Sequence, residues 1–380
     1  MNKEEYLKNI ERLQKADNAY YNSGNEIMSN YEYDALRDEV AAYESKHPEI
    51  EAYTSNHVGA EVVSELKRVK HEFPALSLDK TKDIDKYVSD FEKGVNKCGN
   101  DSIVLMWKMD GSTVVATYED GNLVQLATRG NGEVGSDITH NAPYIKGLPM
   151  HIKYKGKLIV RGEAVMSYTE FNRINGLLPS EEQYKNPRNL ANATISMLDS
   201  NEMRKREIQF FAFELTSAVD EKGERKSDCM GVRFNFLDSH EFQIVPYCGT
   251  NINLLKCRMT EWEDSVENFD YPVDGLVCCL NDIAYAESLP STGHNPNIMA
   301  GYAFKWADEE VETTLRNIEW SASRTGLLNP VAVFDSVELE GTTVSRASLH
   351  NLSYIEKTLG TPYVGQKIYV YKANKSATCS

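Results

Sequence analysis

The chain has 380 residues and a formal net charge of −16, so it is long enough for two or three domains but too acidic to coat nucleic acid by bulk attraction, although a local basic surface is compatible with this charge. It contains no apolar run long enough to span a bilayer and its first residues form no signal peptide, which argues against a membrane or secreted protein and predicts a cytoplasmic location. Its seven cysteines form no Cys-x-x-Cys pair, so we expect reduced thiols and no zinc site.

The N-terminal region predicts two amphipathic helices. Tyr6, Ile10 and Leu13 recur at helical spacing with polar residues between them. Ser29 and Glu32 have the spacing of a capping box at the start of a second helix. Residues 52–66 are polar, with few helix or strand signals, and predict a linker.

A lysine, Lys108, stands at the end of an apolar run, residues 103–107. The run predicts a buried strand, and Asp110-Gly111 predicts a tight turn into a second strand. A lysine there is costly unless it has a task, and desolvation would favour its neutral, nucleophilic amine. Asp110 would face the same side of an extended chain and is expected to orient Lys108, while Gly111 would permit a special backbone geometry or the close approach of a ligand. Taken alone, Lys-x-Asp-Gly also fits a surface lysine beside a hairpin.

Further short motifs follow in order. They are Arg129-Gly130-Asn131-Gly132, Val160-Arg161-Gly162-Glu163, Asn186-Pro187-Arg188-Asn189, Val273-Asp274-Gly275 and Ala303-Phe304-Lys305. Together with Lys108-Met109-Asp110-Gly111 they resemble the nucleotidyltransferase core of the enzymes that form a covalent AMP-lysine, most closely the NAD-dependent DNA ligases. The resemblance covers essentially the whole chain. Its N-terminal part is similar to the small domain that receives the nicotinamide mononucleotide (NMN) half of NAD+.

The resemblance implies a role for each matching residue. Lys108 and Asp110 would be catalytic. The residues implied to bind NAD+ are Tyr20, Asn30, Tyr33, Asp34, Ser77, Leu78, Met106, Gly111, Arg129, Glu163, Asp274 and Lys305. Glu163 would meet a ribose hydroxyl or, through water, a magnesium ion. From the residues alone, Glu163 and Arg161 could form a structural pair, Arg129 could be a hairpin surface charge, and Tyr20, Tyr33 and Asp34 could serve helix packing.

The chain departs from the family pattern at five positions. Asn30 replaces an aspartate, Met106 a glutamate, Ser196 and Val266 an arginine each, and Cys279 a lysine. A charge-assisted hydrogen bond contributes roughly 1.5–3 kcal/mol. Loss of the lysine at position 279 is therefore expected to slow adenylylation by about one to two powers of ten.

The predicted fold is α+β and multidomain. We expect a helical NMN-binding domain with its linker at residues 1–65, a nucleotidyltransferase core of antiparallel sheets with helices at 66–311, and an incomplete OB-fold barrel at 312–380. The resemblance implies that Arg188, Arg324 and Arg346 contact DNA phosphates.

The resulting hypothesis is an NAD+- and magnesium-dependent DNA ligase, or its adenylating subunit, that seals nicks in duplex DNA during replication or repair in a bacterial or phage-infected cell. A zinc module, helix-hairpin-helix repeats and a BRCT domain are expected to lie outside this sequence, either lost by truncation or carried by a second subunit, as in some phages. The alternative is a catalytically degenerate core that binds DNA or a partner. An ATP-dependent or RNA-capping relative fits less well, because the N-terminal helices match the NAD-specific domain.

Overall fold

The computed structural model describes most of the chain. The described residues are 1, 3–23, 28, 30–44, 46–47, 66–179, 182–224, 226–291, 295–306, 310–322, 328–339, 342–349, 355–356, 358–373 and 376–379. The chain forms two compact units, Met1–Ile27 with Leu36–Trp306 and Met28–Ala35 with Ala307–Ser380. The three-domain division expected from the sequence stays a prediction.

The two N-terminal helices are α1 (Lys3–Ser23) and α2 (Asn30–Glu44), as the apolar spacing predicts. Tyr6 of α1 is buried, stacks on the ring of Tyr43 at 4.8 Å and donates a hydrogen bond to Glu44 Oε1 at 3.0 Å. Leu13 and Val40 are fully buried. The described part of the chain contains no helix that is both long and apolar enough to cross a membrane.

The core is built on two mainly antiparallel sheets with helices around them. One sheet has the strand order β10-β9-β8-β4-β5, with β7 beside β9, and the other has the order β11-β3-β12-β13-β2, in which β2 is parallel to β13. A short pair, β1 with β6, stands apart from both sheets. The strand bounds are β1 (Arg68–Lys70), β2 (Asp79–Thr81), β3 (Ile103–Met109), β4 (Ser112–Glu119), β5 (Asn122–Thr128), β6 (Val134–Ser136), β7 (Ile145–Lys146), β8 (Lys157–Val165), β9 (Ile208–Asp220), β10 (Gly223–Glu224), β11 (Tyr247–Thr250), β12 (Val273–Leu280) and β13 (Tyr302–Lys305).

Most helices of the core begin at a residue whose side chain caps the first turn. Asp83, for example, accepts hydrogen bonds from the first backbone N–H groups of α3, and Asn186 caps α5 in the same way. The helix bounds are α3 (Ile84–Cys98), α4 (Tyr168–Asn175), α5 (Pro187–Ile195), α6 (Ser200–Met203), α7 (Met230–Ser239), α8 (Ile252–Ser265) and α9 (Ile283–Ser288), with 3-10 turns at Thr139–Tyr144 and Val266–Asn268.

Strand β3 is an interior strand of its sheet, between β11 and β12. All of its residues except Lys108 are buried, as the apolar run predicts. The hairpin from β4 to β5 turns at Asp120 and Gly121, which both have positive φ, as a two-residue hairpin loop requires. The mixed α+β class predicted from the sequence is therefore confirmed.

The C-terminal unit contains five strands around a small apolar core. They are β14 (Glu310–Ala322), β15 (Leu328–Leu339), β16 (Thr342–Ser348), β17 (Lys367–Ala373) and β18 (Ser376–Cys379). The pairings run β14-β15-β16-β18-β17 and return to β14, which closes a barrel. The contact of β16 with β18 is a single parallel pair, Ser348 with Thr378, so closure is weakest next to the last strand, where the sequence predicts an incomplete barrel.

Candidate active site

Three side chains from neighbouring strands form the centre of the site. Lys108 Nζ lies 2.7 Å from Asp274 Oδ1, and Lys305 Nζ lies 3.1 Å from Asp274 Oδ2. One carboxylate on β12 thus holds a lysine from each adjacent strand. The three side chains are 22–26% exposed, so the ion pairs are accessible from solvent. Lys108 is therefore held in an ion pair and not, as expected from its apolar strand, in an apolar environment.

A β-bulge directs Asp274 towards the two lysines. In the pairing of β12 with β3, Val273 lies opposite Met109 and Gly275 lies opposite Lys108, so Asp274 is an extra residue in its strand. A bulge of this kind changes the direction of a side chain. On the other side of β12, Gly275 also lies opposite Lys305. The carboxylate of Asp274, the extra residue at the bulge, therefore lies next to both lysines.

The two ammonium groups determine the charge of Asp274. Burial alone would raise the pKa of this carboxyl group, but the positive charges of Lys108 and Lys305 outweigh burial and lower its pKa to about 2. Asp274 is consequently an anion at neutral pH. It is a strong partner for the lysines and a weak proton acceptor.

Asp110 contacts a different cation from the one the sequence predicts. Its Oδ1 accepts a hydrogen bond from Arg188 Nη1 at 2.7 Å, whereas the carboxylate on Lys108 is that of Asp274. Arg188 stands in the first turn of α5, where Asn186 is the N-cap. The structure therefore brings Arg188, predicted to be a DNA contact, to the Lys-x-Asp-Gly motif.

Glu163 is a nearly buried acid on β8, 9% exposed, opposite Thr113 of β4. Its Oε1 accepts a hydrogen bond from the backbone N–H of Gly111 at 3.2 Å, and its Oε2 accepts one from Thr113 Oγ1 at 2.8 Å. Burial raises the pKa of Glu163 to about 6, although the positive charge of Arg188 and the Thr113 hydrogen bond oppose this. Glu163 thus ties the turn after Lys108 to β8.

The alternative of a structural pair between Arg161 and Glu163 is wrong. Arg161 Nη1 donates to both carboxylate oxygens of Glu214, each at 3.0 Å. The reason for glycine at position 111 also differs from the expected ligand approach. A Cβ there would lie 2.3 Å from the carbonyl oxygen of Ala164, so the backbone of β8 leaves no room for a side chain.

The raised pKa of Glu163 predicts a pH-dependent stability difference for the Glu163→Gln variant. Between pH 4.5 and 6 the unfolded chain ionises this group while the folded chain still holds the proton, so the wild type loses stability as the pH rises. The difference between the ordinary pKa of 4.5 and the folded-state pKa of about 6 corresponds to about 2 kcal/mol. The stability of the variant relative to the wild type should therefore increase by about 2 kcal/mol between pH 4.5 and pH 7.5. Urea unfolding at both pH values measures the difference, and a pH-independent difference would contradict it.

A segment without regular secondary structure, residues 71–78, connects β1 of the short pair with β2 of the sheet that contains β3, and we call it the strap. Ser77 Oγ accepts a hydrogen bond from Arg129 Nη1 at 3.4 Å. Leu78 packs against Gly301, where an added Cβ would lie 2.8 Å from Leu78 Cδ2. The sequence predicts that three residues of this region meet the nucleotide, Ser77, Leu78 and Arg129. In the structure they are connected, because Ser77 is hydrogen-bonded to Arg129 and precedes Leu78 in the strap.

Two family models match consecutive parts of the chain. The NAD-dependent DNA ligase adenylation domain matches residues 63–307, and the NAD-dependent DNA ligase OB-fold domain matches residues 312–377. The chain belongs to the NAD-dependent DNA ligase family. The expected family and the expected OB-fold are thereby confirmed.

Relatives in this family are similar over nearly the whole chain. The DNA ligase of Lachnoclostridium phytofermentans is 46% identical over 367 residues, which is 96% of this chain and 54% of the relative. The DNA ligase of Ruminiclostridium cellulolyticum is 45% identical over 372 residues, again 96% of this chain and 54% of the relative. The chain therefore spans about half the length of the curated relatives it matches. A solved structure of a Lig E DNA ligase aligns with 73% of this chain and 90% of its own, at 16% identity and a TM-score of 0.37.

Two departures from the ligase pattern fall on a buried surface beside Lys108. Met106 lies two residues before Lys108 on β3, and Cys279 lies opposite Val104 of the same strand. Opposed and alternate residues of paired strands share a face, so both side chains are on the face that carries Lys108. Met106 is 5% exposed and Cys279 is 1% exposed, and burial raises the pKa of the thiol to about 12. The ligase site is therefore uncharged at these two positions.

Some residues predicted for this ligase family lie outside the described part of the chain. The side chains of Tyr20, Asn30, Tyr33 and Asp34 are not among those described, although their helices are, and Arg324 lies in the undescribed stretch 323–327. Arg346 of β16 is exposed and pairs with Glu319 of β14. The NMN and DNA contacts assigned to these residues stay predictions.

Two side chains of the candidate site, Thr113 and Arg161, were not predicted from the sequence with the contacts that they make. Thr113 was not named as a candidate. It lies two residues after Gly111 on a strand of alternating apolar and polar residues, which places its side chain on the same side as the turn that contains Gly111. Arg161 was considered only as a partner of Glu163. Its contacts could have been predicted only with knowledge of the pairing between β8 and β9.

Proposed function

We propose that this chain carries out the adenylylation and nick sealing of an NAD+-dependent DNA ligase. The observation that supports the proposal is the convergence of Lys108 and Lys305 on the carboxylate of Asp274, next to the turn that Glu163 holds. One of the lysines can act as a nucleophile while the other keeps its charge for a phosphate. The buried face at Met106 would offer an apolar wall to a base.

In the first step, the ammonium group of Lys108 would lose a proton to solvent, and the resulting amine would leave Asp274 and attack the adenylyl phosphorus of NAD+. A nitrogen–phosphorus bond forms as the phosphorus–oxygen bond to NMN breaks, and NMN leaves with the electron pair. Asp274 stays ionised and remains paired with Lys305, so it releases Lys108 without becoming an uncompensated charge. Arg129 and Lys305 would offset charge on the phosphate oxygens.

In the second and third steps the AMP would pass to a 5′-phosphate at a nick in duplex DNA, and the neighbouring 3′-hydroxyl would displace it. Arg188, next to Asp110, is close enough to the motif of the nucleophile to meet a phosphate at the nick. Arg324 and Arg346 are proposed to contact the duplex from the barrel. Because the substrate is DNA, we place the reaction in the cytoplasm of a bacterial or phage-infected cell.

The carboxylates of the site fit a magnesium ion only if the ion is shared between the protein and the substrate phosphates. Asp274 is bound by two lysines and Asp110 by an arginine, which leaves Glu163 as the carboxylate whose described bonds come from neutral donors. Magnesium commonly takes one or two protein carboxylates and completes its shell with phosphate oxygens and water. When bound, it would neutralise charge on the phosphates. We propose that substrate phosphates hold it, with Glu163 as the protein contact.

Labelling of the chain by its donor tests the proposed function. The 380-residue chain is incubated with magnesium and with NAD+ or ATP carrying a label in the adenylyl group, and protein-bound label is measured before and after addition of nicked DNA. We expect label from NAD+ at least about a hundredfold above that from ATP, and its loss when nicked DNA is sealed. A folded chain that gains no label but binds nicked DNA would instead support the degenerate binding module.

A further inference from the structure

Arg161 uses its guanidinium to hold the strap, residues 71–78, against β8. Nη2 donates to the carbonyl oxygens of Phe73 at 3.0 Å and of Pro74 at 2.9 Å, while Nη1 donates to both carboxylate oxygens of Glu214. The side chain is 11% exposed. Both terminal nitrogens of Arg161 are therefore engaged, Nη2 with the strap and Nη1 with Glu214 of β9.

The carbonyl groups that Arg161 holds belong to a segment that forms no strand or helix. On either side of them the strap is tied by backbone hydrogen bonds, from His71 N to Glu133 O at 2.7 Å and from Ala75 N to Gly132 O at 2.8 Å. Because an irregular segment has no ladder partner for its carbonyl groups, a side-chain donor can decide its conformation. Arg161 supplies that donor between the two backbone ties.

Arg161 connects the strap to β8, the strand that also carries Glu163. Arg161 and Glu163 are two residues apart on β8 and therefore lie on the same face. Glu163 holds the turn after Lys108, and Arg161 holds the part of the strap that precedes Ser77 and Leu78. The same strand thus sets the position of the nucleophile turn and that of the segment with the predicted nucleotide contacts.

We propose that Arg161 is a positioning residue for the dinucleotide substrate, which fixes the strap, with its predicted nucleotide contacts Ser77 and Leu78, in the conformation that binds NAD+. The inference rests on the proposed function, because it takes NAD+ as the ligand. Arg161 would not touch the reacting atoms. Its loss should therefore weaken binding of NAD+ and leave later steps, which do not use NAD+, unchanged.

The expected size of the effect follows from the contacts that are lost. Arg161→Met keeps an unbranched apolar side chain but removes both donors to the strap carbonyls. Hydrogen bonds from a charged donor are strong enough for a change of about tenfold or more in KM and Kd for NAD+. The kcat of adenylylation at saturating NAD+ should change less than about threefold, because the nucleophile turn keeps its bonds to Glu163.

A matched control separates positioning of the strap from stabilisation of the sheet. Glu214→Gln also breaks the ion pair between β8 and β9, but it leaves Arg161 free to donate to Phe73 and Pro74. We expect less than about a threefold change in KM for this variant. The Arg161→Lys variant should fall between Arg161→Met and the wild type, because one ammonium can reach a carbonyl but cannot form the planar, forked contact.

The measurements are made so that the two proposals can fail separately. The Kd for NAD+ is measured by titration in a Lys108→Arg background, where no turnover occurs, and sealing of pre-adenylylated nicked DNA is measured for each variant. A higher Kd for Arg161→Met with normal sealing supports the inference, even if the parent chain forms no adenylate and the proposed function fails. Equal Kd values for Arg161→Met and Glu214→Gln, a wild-type Kd in Arg161→Met, or parallel losses in binding and sealing would overturn the inference. A chain that does not bind NAD+ would overturn both.

Discussion

Replacing Lys108 with arginine is expected to abolish the covalent adenylate completely while the chain stays folded. An arginine can keep the ion pair with Asp274, which lies 2.7 Å from the lysine nitrogen, and so preserves the charge balance around the β-bulge. It stays protonated at all accessible pH values and has no free electron pair with which to attack phosphorus. Incubation with labelled NAD+ and magnesium, followed by denaturing electrophoresis, measures the loss.

The matched control is Lys146→Arg, an exposed lysine on β7 whose partner is Glu207. This variant should be labelled as strongly as the wild type. The Lys108→Arg variant should also seal nicked DNA that already carries AMP on its 5′-phosphate, because the last step does not use the amine. Label on the Lys108→Arg protein would show that another residue is the nucleophile.

Local pattern was sufficient to predict the strand that carries Lys108. A run of apolar residues that ends in a lysine and a tight turn is buried in the structure except at the lysine, because the strand has a neighbour on each side in its sheet. Glu163 stands in a strand that is otherwise largely apolar, and a buried acid there needs hydrogen-bond donors. Gly111 N and Thr113 Oγ1 supply those donors.

The partner of Lys108 could not be predicted in this way. Asp110 is two residues away in sequence, whereas Asp274 is 166 residues away and becomes its neighbour only through the register of β12 on β3. The bulge that adds Asp274 to its strand leaves no trace in the alternation of apolar and polar residues. The contacts of Arg161 with the strap are hidden for the same reason, because they depend on which strands pair and not on spacing.

The structure shows where two of the departures from the ligase pattern lie, which the sequence alone did not show. Met106 and Cys279 are buried on the face of Lys108, so these positions supply surface and no charge. Among the described residues, the cations that we propose to meet the substrate phosphates are then Lys305, Arg129 and Arg188. This makes the geometry of Lys305 more important than in a site that has a further lysine.

Replacing Gly275 with alanine is expected to destabilise the core by at least about 3 kcal/mol and to disrupt the site. The residue has a φ of +154°, and an added Cβ would lie 1.9 Å from the carbonyl oxygen of Phe304 and 3.1 Å from the Cα of Lys305. These atoms belong to the backbone of β13, which cannot move aside without breaking its pairing with β12. Since Lys305 follows Phe304, any relief of the clash also moves Lys305 away from Asp274.

The control is Gly249→Ala on β11, an edge strand of the same sheet, where an added Cβ meets nothing within 4 Å. We expect this variant to unfold within about 0.5 kcal/mol of the wild type in urea. If both glycine variants were equally stable, β12 and β13 would have to be farther apart than the register requires, and Asp274 could not hold Lys108 and Lys305 together. A large loss confined to Gly275→Ala, with a matching loss of labelling by NAD+, would tie the close approach of these two strands to the chemistry of the lysines.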